Sequence, residues 1–213
     1  MDGWIQLLEK AVSPLQSGVR DLRITGYRPP GSEAYRPART AAVLVPFLAL
    51  PEPELVLTRR ADHLPNHPGQ VSFPGGAIGD DGESAVQTAM REAEEEIGLP
   101  PEAVRPIGFL DRMDTISDYR VLPVVALVRP PVEWVPDHSE VSEVFTVPAD
   151  VVLDAERYES MRVEREGVNY TIHSLKWQGY TIWGATAGML MNLISRIRSI
   201  DEQEHPAAGR PAE

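Results

Sequence analysis

The chain contains no cysteine. That excludes disulfides, thiolate metal sites and cysteine nucleophiles. Positive charge is scarce as well. Twenty lysines and arginines stand against 32 acidic residues, a formal charge of −12. A field of that sign argues against nucleic acid or an anionic membrane as a partner, and a phosphorylated ligand would need a local answer, a few arginines or bound cations. Long apolar runs are missing too. The longest, Ala41 to Leu50, is ten residues interrupted by Pro46, about half of what a membrane span requires. The start, Met1-Asp2-Gly3-Trp4, lacks the basic residues and apolar core of a secretion signal. The expectation is a soluble, cytoplasmic protein. No internal repeat is visible.

What the chain does have is proline, 20 residues among 213, near twice the usual share, which predicts numerous stiff loops. The length suits one domain with a full core. Trp4, Ile5, Leu7, Leu8, Ala11 and Val12 recur at helical spacing and predict an opening helix. Residues 25–40, with Pro29-Pro30-Gly31 and Pro37, read as an extended arm. Strands are expected over 41–50 and 54–60, then 105–110, 120–128, 159–165 and 169–175. The stretch 61–76 reads as loop. A helix is predicted over 83–97, with Val86, Ala89, Met90, Ala93 and Ile97 on one face and a stop at Gly98 before Pro100-Pro101. A short helix near 148–153 and a long one over 185–200 follow, and the polar tail from Asp201 is expected to fray. Strands and helices mix without regular βαβ alternation, which favours α+β or a layered mixed-sheet sandwich.

The helix over 83–97 carries Glu92, Glu95 and Glu96 on its polar side. At about 100° per residue, Glu92 and Glu96 are roughly 40° apart. Such carboxylates repel one another, and a divalent cation would turn the penalty into an oxygen-ligand site suited to Mg²⁺ or Mn²⁺. A solvated acidic face is the plainer alternative. Upstream, Phe73-Pro74-Gly75-Gly76 is a tight turn that lets backbone approach a ligand.

Together these residues resemble the Nudix box. Glu83 is followed by seven residues and then Arg91-Glu92-Ala93-Glu94-Glu95-Glu96-Ile97-Gly98-Leu99, a match at every defined position. The first half departs slightly: six residues rather than five separate Gly76 from Glu83, an insertion that the Asp80-Asp81-Gly82 turn absorbs. Just before the box, Val56-Leu57-Thr58-Arg59-Arg60-Ala61 and His67-Pro68-Gly69-Gln70-Val71-Ser72-Phe73 resemble the motif of the coenzyme A diphosphatase branch, with Pro65 where that motif has arginine. Tyr119 to Val125, Glu140 to Pro148 and Ile182 to Ala187 are similar to that branch as well.

The resemblance implies an α/β/α sandwich with a central mixed sheet over 38–200, preceded by a helix and arm (1–37) and followed by a flexible tail (201–213). It implies metal-dependent hydrolysis of coenzyme A or its thioesters to 3′,5′-ADP and a 4′-phosphopantetheine product. The same chemistry on ADP-ribose, NADH or a dNTP, or a non-catalytic ligand sensor, are the competing functions. Glu92 and Glu96 are the implied metal ligands, with Glu95 shared and a backbone carbonyl near Gly75–Ala77 completing the site. Arg91 is expected to orient a box carboxylate, Glu83 or Glu95, without touching substrate. The general base is Glu92, or Glu140 or Glu143 on a segment that could fold over the site. Arg59 and Arg60 face opposite sides of their strand, and Arg60, which matches the motif, is the expected phosphate ligand. His67 and Gln70 are expected to contact the nucleotide, with Arg36 or Arg39 as further readers of a 3′-phosphate. His63, His138 and His173 read as ordinary surface residues. Trp183, Met189, Leu190, Leu193, Ile194 and Ile197 offer two readings, core packing or a homodimer interface.

Overall fold

The computed structural model describes residues 2–27, 39–79, 82–165 and 167–204. In chain order the elements are α1 (Asp2–Ala11), β1 (Ile24–Gly26), β2 (Arg39–Leu48), β3 (Glu54–Arg60), β4 (Val71–Ser72), β5 (Gly75–Ala77) and α2 (Ala85–Ile97). They continue with β6 (Val104–Phe109), β7 (Arg112–Asp114), β8 (Tyr119–Val128), β9 (Val141–Pro148), α3 (Ala149–Val152), β10 (Glu159–Arg165), β11 (Val168–Trp177), β12 (Tyr180–Trp183) and α4 (Gly184–Glu204). Arg36, the prolines at 29, 30 and 37, Asp80-Asp81 and the tail beyond 204 lie outside the described residues.

The larger sheet is mixed. Its centre is a parallel pairing of β2 with β8, in register from Arg39↔Tyr119 to Leu48↔Val128. β3 runs antiparallel beside β9 along its length, with β4 against its C-terminal half. The smaller antiparallel sheet is β10-β11-β12. Side chains alternate across the large sheet. Ala42, Leu44 and Val56 pack with Ala89, Ala93 and Ile97 of α2 on one face. Phe47, Leu55, Leu57 and Val125 pack with Leu8 of α1 and Leu190 and Leu193 of α4 on the other. This is the α/β/α sandwich with a mixed sheet that the box resemblance implies. Among the described residues no helix is long and apolar enough to cross a membrane.

Three readings change. The stretch 61–76 carries two short strands, β4 and β5, which exist only through pairing with β3 and β2. In the segment Glu140 to Pro148, Glu140 ends a turn and Val141–Pro148 form a full strand of the sheet, not a flap. Helix α4 continues past Asp201 to Glu204. Met189, Leu190, Leu193 and Ile194 are 0–4% exposed within this single chain, and Ile197 packs partly buried against the same core. Helix α1 and the small sheet cover them, as the core-packing reading of that set expects. Of that set only Trp183, 42% exposed, remains outside.

Candidate active site

Helix α2 begins with Ser84 as N-cap. Its hydroxyl accepts from the Gln87 N–H, and the Gln87 side chain accepts from the Ser84 N–H, a capping box that satisfies two otherwise orphaned donors. The helix ends where the sequence predicts. Gly98 takes the left-handed conformation (φ 67°), and its N–H donates to the Ala93 and Glu94 carbonyls. Between these caps the buried residues are Ala85, Thr88, Ala89, Ala93, Glu96 and Ile97.

Glu96 is therefore not on the exposed side with Glu95, and Glu92, its side chain 17% exposed, is only partly so. It is 5% exposed. Two backbone contacts close the following segment over the helix end: the Val135 N–H donates to the Ile97 carbonyl and the Asp137 N–H to the Glu96 carbonyl. The Glu96 carboxylate accepts from the Gly75 N–H at 3.2 Å. Burial pushes its pKa up to about 8, and the charges of Glu140 and Glu92 act in the same direction against Gly75 and Arg60.

Glu92 lies across the glycine turn. A Cβ on Gly76 would meet both Glu92 carboxylate oxygens at 2.5 Å, and one on Gly75 would meet the Val43 Cα at 2.6 Å. Gly75 needs glycine because strand backbone passes where a side chain would start, and at Gly76 a side chain would push the Glu92 carboxylate aside. The turn is anchored to β2 through Val43↔Gly75 and Ala42↔Gly76.

Arg91 gathers the remaining carboxylates. It pairs with Glu83 at 3.1 Å, Glu92 at 2.9 Å and Glu95 at 2.8 Å. Thr88 also donates to Glu83. The Arg91 hydrogen bond is the main reason that the Glu83 carboxyl is held below the usual carboxylate range. Arg91 thus pairs with the carboxylates it is expected to orient, and its guanidinium offsets the repulsion predicted among them. Glu95, with its side chain 58% exposed, belongs to this ion-pair network and not beside Glu96. Among the described residues no three acidic or histidine side chains converge as a ready-made metal cage. Glu92 and Glu96, flanking one turn, fit a hard cation that keeps several of its waters. A buried carboxylate that resists ionisation is the group such a cation would relieve.

Strand β3 separates the two arginines. Leu55 and Leu57 pack toward α4 and Val56 toward α2, so alternation sends Arg60 to the α2 side and Arg59 to the other. Arg60 acts electrostatically on Glu96, and its Nε is buried with no hydrogen-bond partner. Arg59 donates to the Ser142 hydroxyl at 3.2 Å and pairs with Asp62 at 2.6 Å.

Glu143 does not join the box carboxylates. It stands opposite Arg59 in the β3–β9 register and accepts a 2.6 Å hydrogen bond from the Tyr180 hydroxyl. One residue of register decides this, because side chains of adjacent strands share faces pair by pair. Glu140 is the member of the expected pair whose charge reaches Glu96. Gln70 lies beside Arg60, whose N–H donates to the Gln70 carbonyl at 2.9 Å. His67 sits in the preceding exposed turn with φ 55°. Arg39 is stacked over the Tyr119 ring at 4.2 Å. His138 lies within hydrogen-bond distance of the Val141 carbonyl, and His173 of the Ser160 hydroxyl. Sequence reasoning missed Tyr180 and Phe145, whose rings stack at 3.9 Å across 35 residues of chain. No local pattern announces such a pair.

Residues 38–164 match the family model described as the NUDIX domain. The Nudix hydrolase NudL of Yersinia pestis strain Pestoides F, itself described as uncharacterized, is 41% identical over 159 residues, 75% of this chain and 80% of that protein. NudL of Yersinia pseudotuberculosis serotype O:3 strain YPIII is similar to the same extent. Among solved structures, the MutT protein from Methanosarcina mazei Go1 is similar at a TM-score of 0.48 and 15% identity, covering 78% of this chain and 97% of that one. Arg91 holding Glu83, Glu92 and Glu95 beside a double-glycine turn is the box drawn in three dimensions, and by the family model and the NudL relatives the chain belongs to the Nudix hydrolases, acting on the diphosphate bond of a nucleoside diphosphate derivative.

Proposed function

We propose that the substrate is coenzyme A or one of its thioesters, cleaved to 3′,5′-ADP and the 4′-phosphopantetheine product. The observation that carries the reading is Arg60. It stands in the string Thr58-Arg59-Arg60-Ala61 that resembles the coenzyme A branch, and its buried Nε lacks a partner on the same face as Glu96. A buried guanidinium N–H left unpaired costs free energy that an anionic oxygen would return.

Nudix hydrolases generally use divalent ions. Glu92 and Glu96, with a backbone carbonyl of the turn, would hold Mg²⁺ or Mn²⁺, which supplies charge neutralisation at phosphoryl oxygens and a lowered pKa for water. The protein's own residues do the rest. Arg60 donates to a phosphoryl oxygen and fixes the diphosphate against the turn. Glu140 takes the proton of the attacking water, and Arg91 keeps Glu92 oriented over Gly76. Water attacks one phosphorus and the P–O–P bond breaks, with no covalent enzyme intermediate. His67 is the proposed nucleotide contact, and Gln70, whose carbonyl accepts from the Arg60 N–H, holds the loop against β3.

A substrate panel tests this. Coenzyme A, ADP-ribose, NADH and dNTPs are compared by kcat/KM with Mg²⁺ and with Mn²⁺. Coenzyme A is expected to lead by about tenfold or more, the discrimination worth one charge-assisted hydrogen bond to the 3′-phosphate that ADP-ribose and NADH lack. Preference for ADP-ribose would overturn the assignment, and Pro65, in place of the motif's arginine, is the residue that would then explain it.

A further inference from the structure

Behind the box carboxylates, on the Arg59 face of β3, lies an open groove of about 420 Å³. The turn Pro68–Val71 forms one wall and Gly179 with β12 the other, and Arg59 also lines it. The volume is within the range of small-ligand clefts.

Its charge excludes one class of ligand. Arg59 is neutralised by Asp62 at 2.6 Å, and Glu143 adds a second carboxylate at the Tyr180 hydroxyl. One cation against two anions is a poor setting for a phosphate. Its surface favours another class. The Tyr180 ring is fixed against Phe145 at 3.9 Å with 7° between planes, and Trp183 is 42% exposed at the rim. Rigid, half-wet aromatic rings of this kind bind apolar groups that carry a polar neighbour. The backbone contributes as well. Among the described residues β12 is an edge of its sheet, paired there only with β11. A strand edge is the natural complement of a chain of secondary amides.

Placement narrows the ligand further. Arg59 and Arg60 are consecutive but serve opposite faces of β3, so a molecule held at Arg60 reaches the groove only by a long flexible arm passing round the strand's end. We propose that this groove holds the uncharged pantetheine arm of the substrate, its amides along the β12 edge and its apolar part against Trp183. The assignment rests on the coenzyme A reading given above.

Two measurements on the full chain separate this claim from that reading. In saturation-transfer NMR, free pantetheine is expected to receive magnetisation at its gem-dimethyl group from the unmodified protein. The Trp183→Ala variant should lose that transfer, and an exposed rim residue can be truncated without unfolding the chain. In kinetics, Trp183→Ala should lower the ratio of kcat/KM for coenzyme A over ADP-ribose by about tenfold, through KM, the size of a lost aromatic contact. No transfer to pantetheine in the unmodified protein overturns the groove assignment, and so does an unchanged ratio. If coenzyme A is not cleaved at all, the function reading fails and the pantetheine titration alone judges the groove.

Discussion

At the scale of single residues, Glu96 carries the sharpest consequences. Its folded pKa, about 8, lies above the ordinary value of 4.5. The folded chain therefore binds a proton that the unfolded chain has released between those values. In the metal-free protein this contribution to stability is fully present below pH 4.5 and is lost as pH rises through 8. Glu96→Gln removes that titration. In chelator, the variant is expected to melt no lower than the parent at pH 5 and higher than it at pH 8.5. With Mg²⁺ or Mn²⁺ restored, kcat should fall by at least about 100-fold, comparable to other lost electrostatic stabilisers. A variant that loses stability in chelator, or that turns over normally, contradicts the role given to this carboxylate. Gly76→Ala is the complementary change. Its Cβ meets the Glu92 oxygens, so we expect at least about tenfold loss of metal affinity, measured by isothermal titration, in a chain that still folds.

At the scale of elements, α2 and its turn behave as one unit. The capping box at Ser84 fixes where the helix starts, and Ser84→Ala should cost about 1 kcal/mol. In a chain of this length that is a fall of about 2–4 °C in Tm by calorimetry. This element was also the most legible one. Apolar spacing, the spaced glutamates and the Gly98 stop are all local, and the helix ends one turn or less from the expected bounds. β3 was legible for the same reason, and its alternation put Arg60 and Arg59 on opposite faces. What could not be read is what depends on distant partners. Glu96 sits at the flank of the polar side by angle alone. It is buried because residues 135–141 close over the helix end. Glu143 was misplaced because its face depends on the β3–β9 register. β4 and β5 are too short to have a period of their own. The aromatic groove behind β3 joins residues from three separate stretches of chain.

At the scale of the whole molecule, long-range ties hold the layer of α1 and α4 to the sheet. Asp111, buried between β6 and β7, accepts from Asn192 and Arg196 of α4, and Arg196 also donates to the Ala11 carbonyl and the Ser13 hydroxyl. Removing the carboxylate leaves a mostly buried guanidinium short of its partner. Asp111→Ala should therefore cost roughly 3 kcal/mol, whereas breaking the exposed Lys10–Glu204 pair should shift the melting curve by little. The overall charge of −12 acts against any polyanionic substrate, so recognition falls to local donors, and Arg60 is the donor on which the account depends. The most direct measurement is kcat/KM of Arg60→Ala on coenzyme A and on 3′-dephospho-coenzyme A. A guanidinium that clamps the diphosphate predicts losses of about 10- to 150-fold on both substrates, equal within error. Unchanged rates on both would contradict the account, because Arg60 would then have no part in binding the bond that is cleaved.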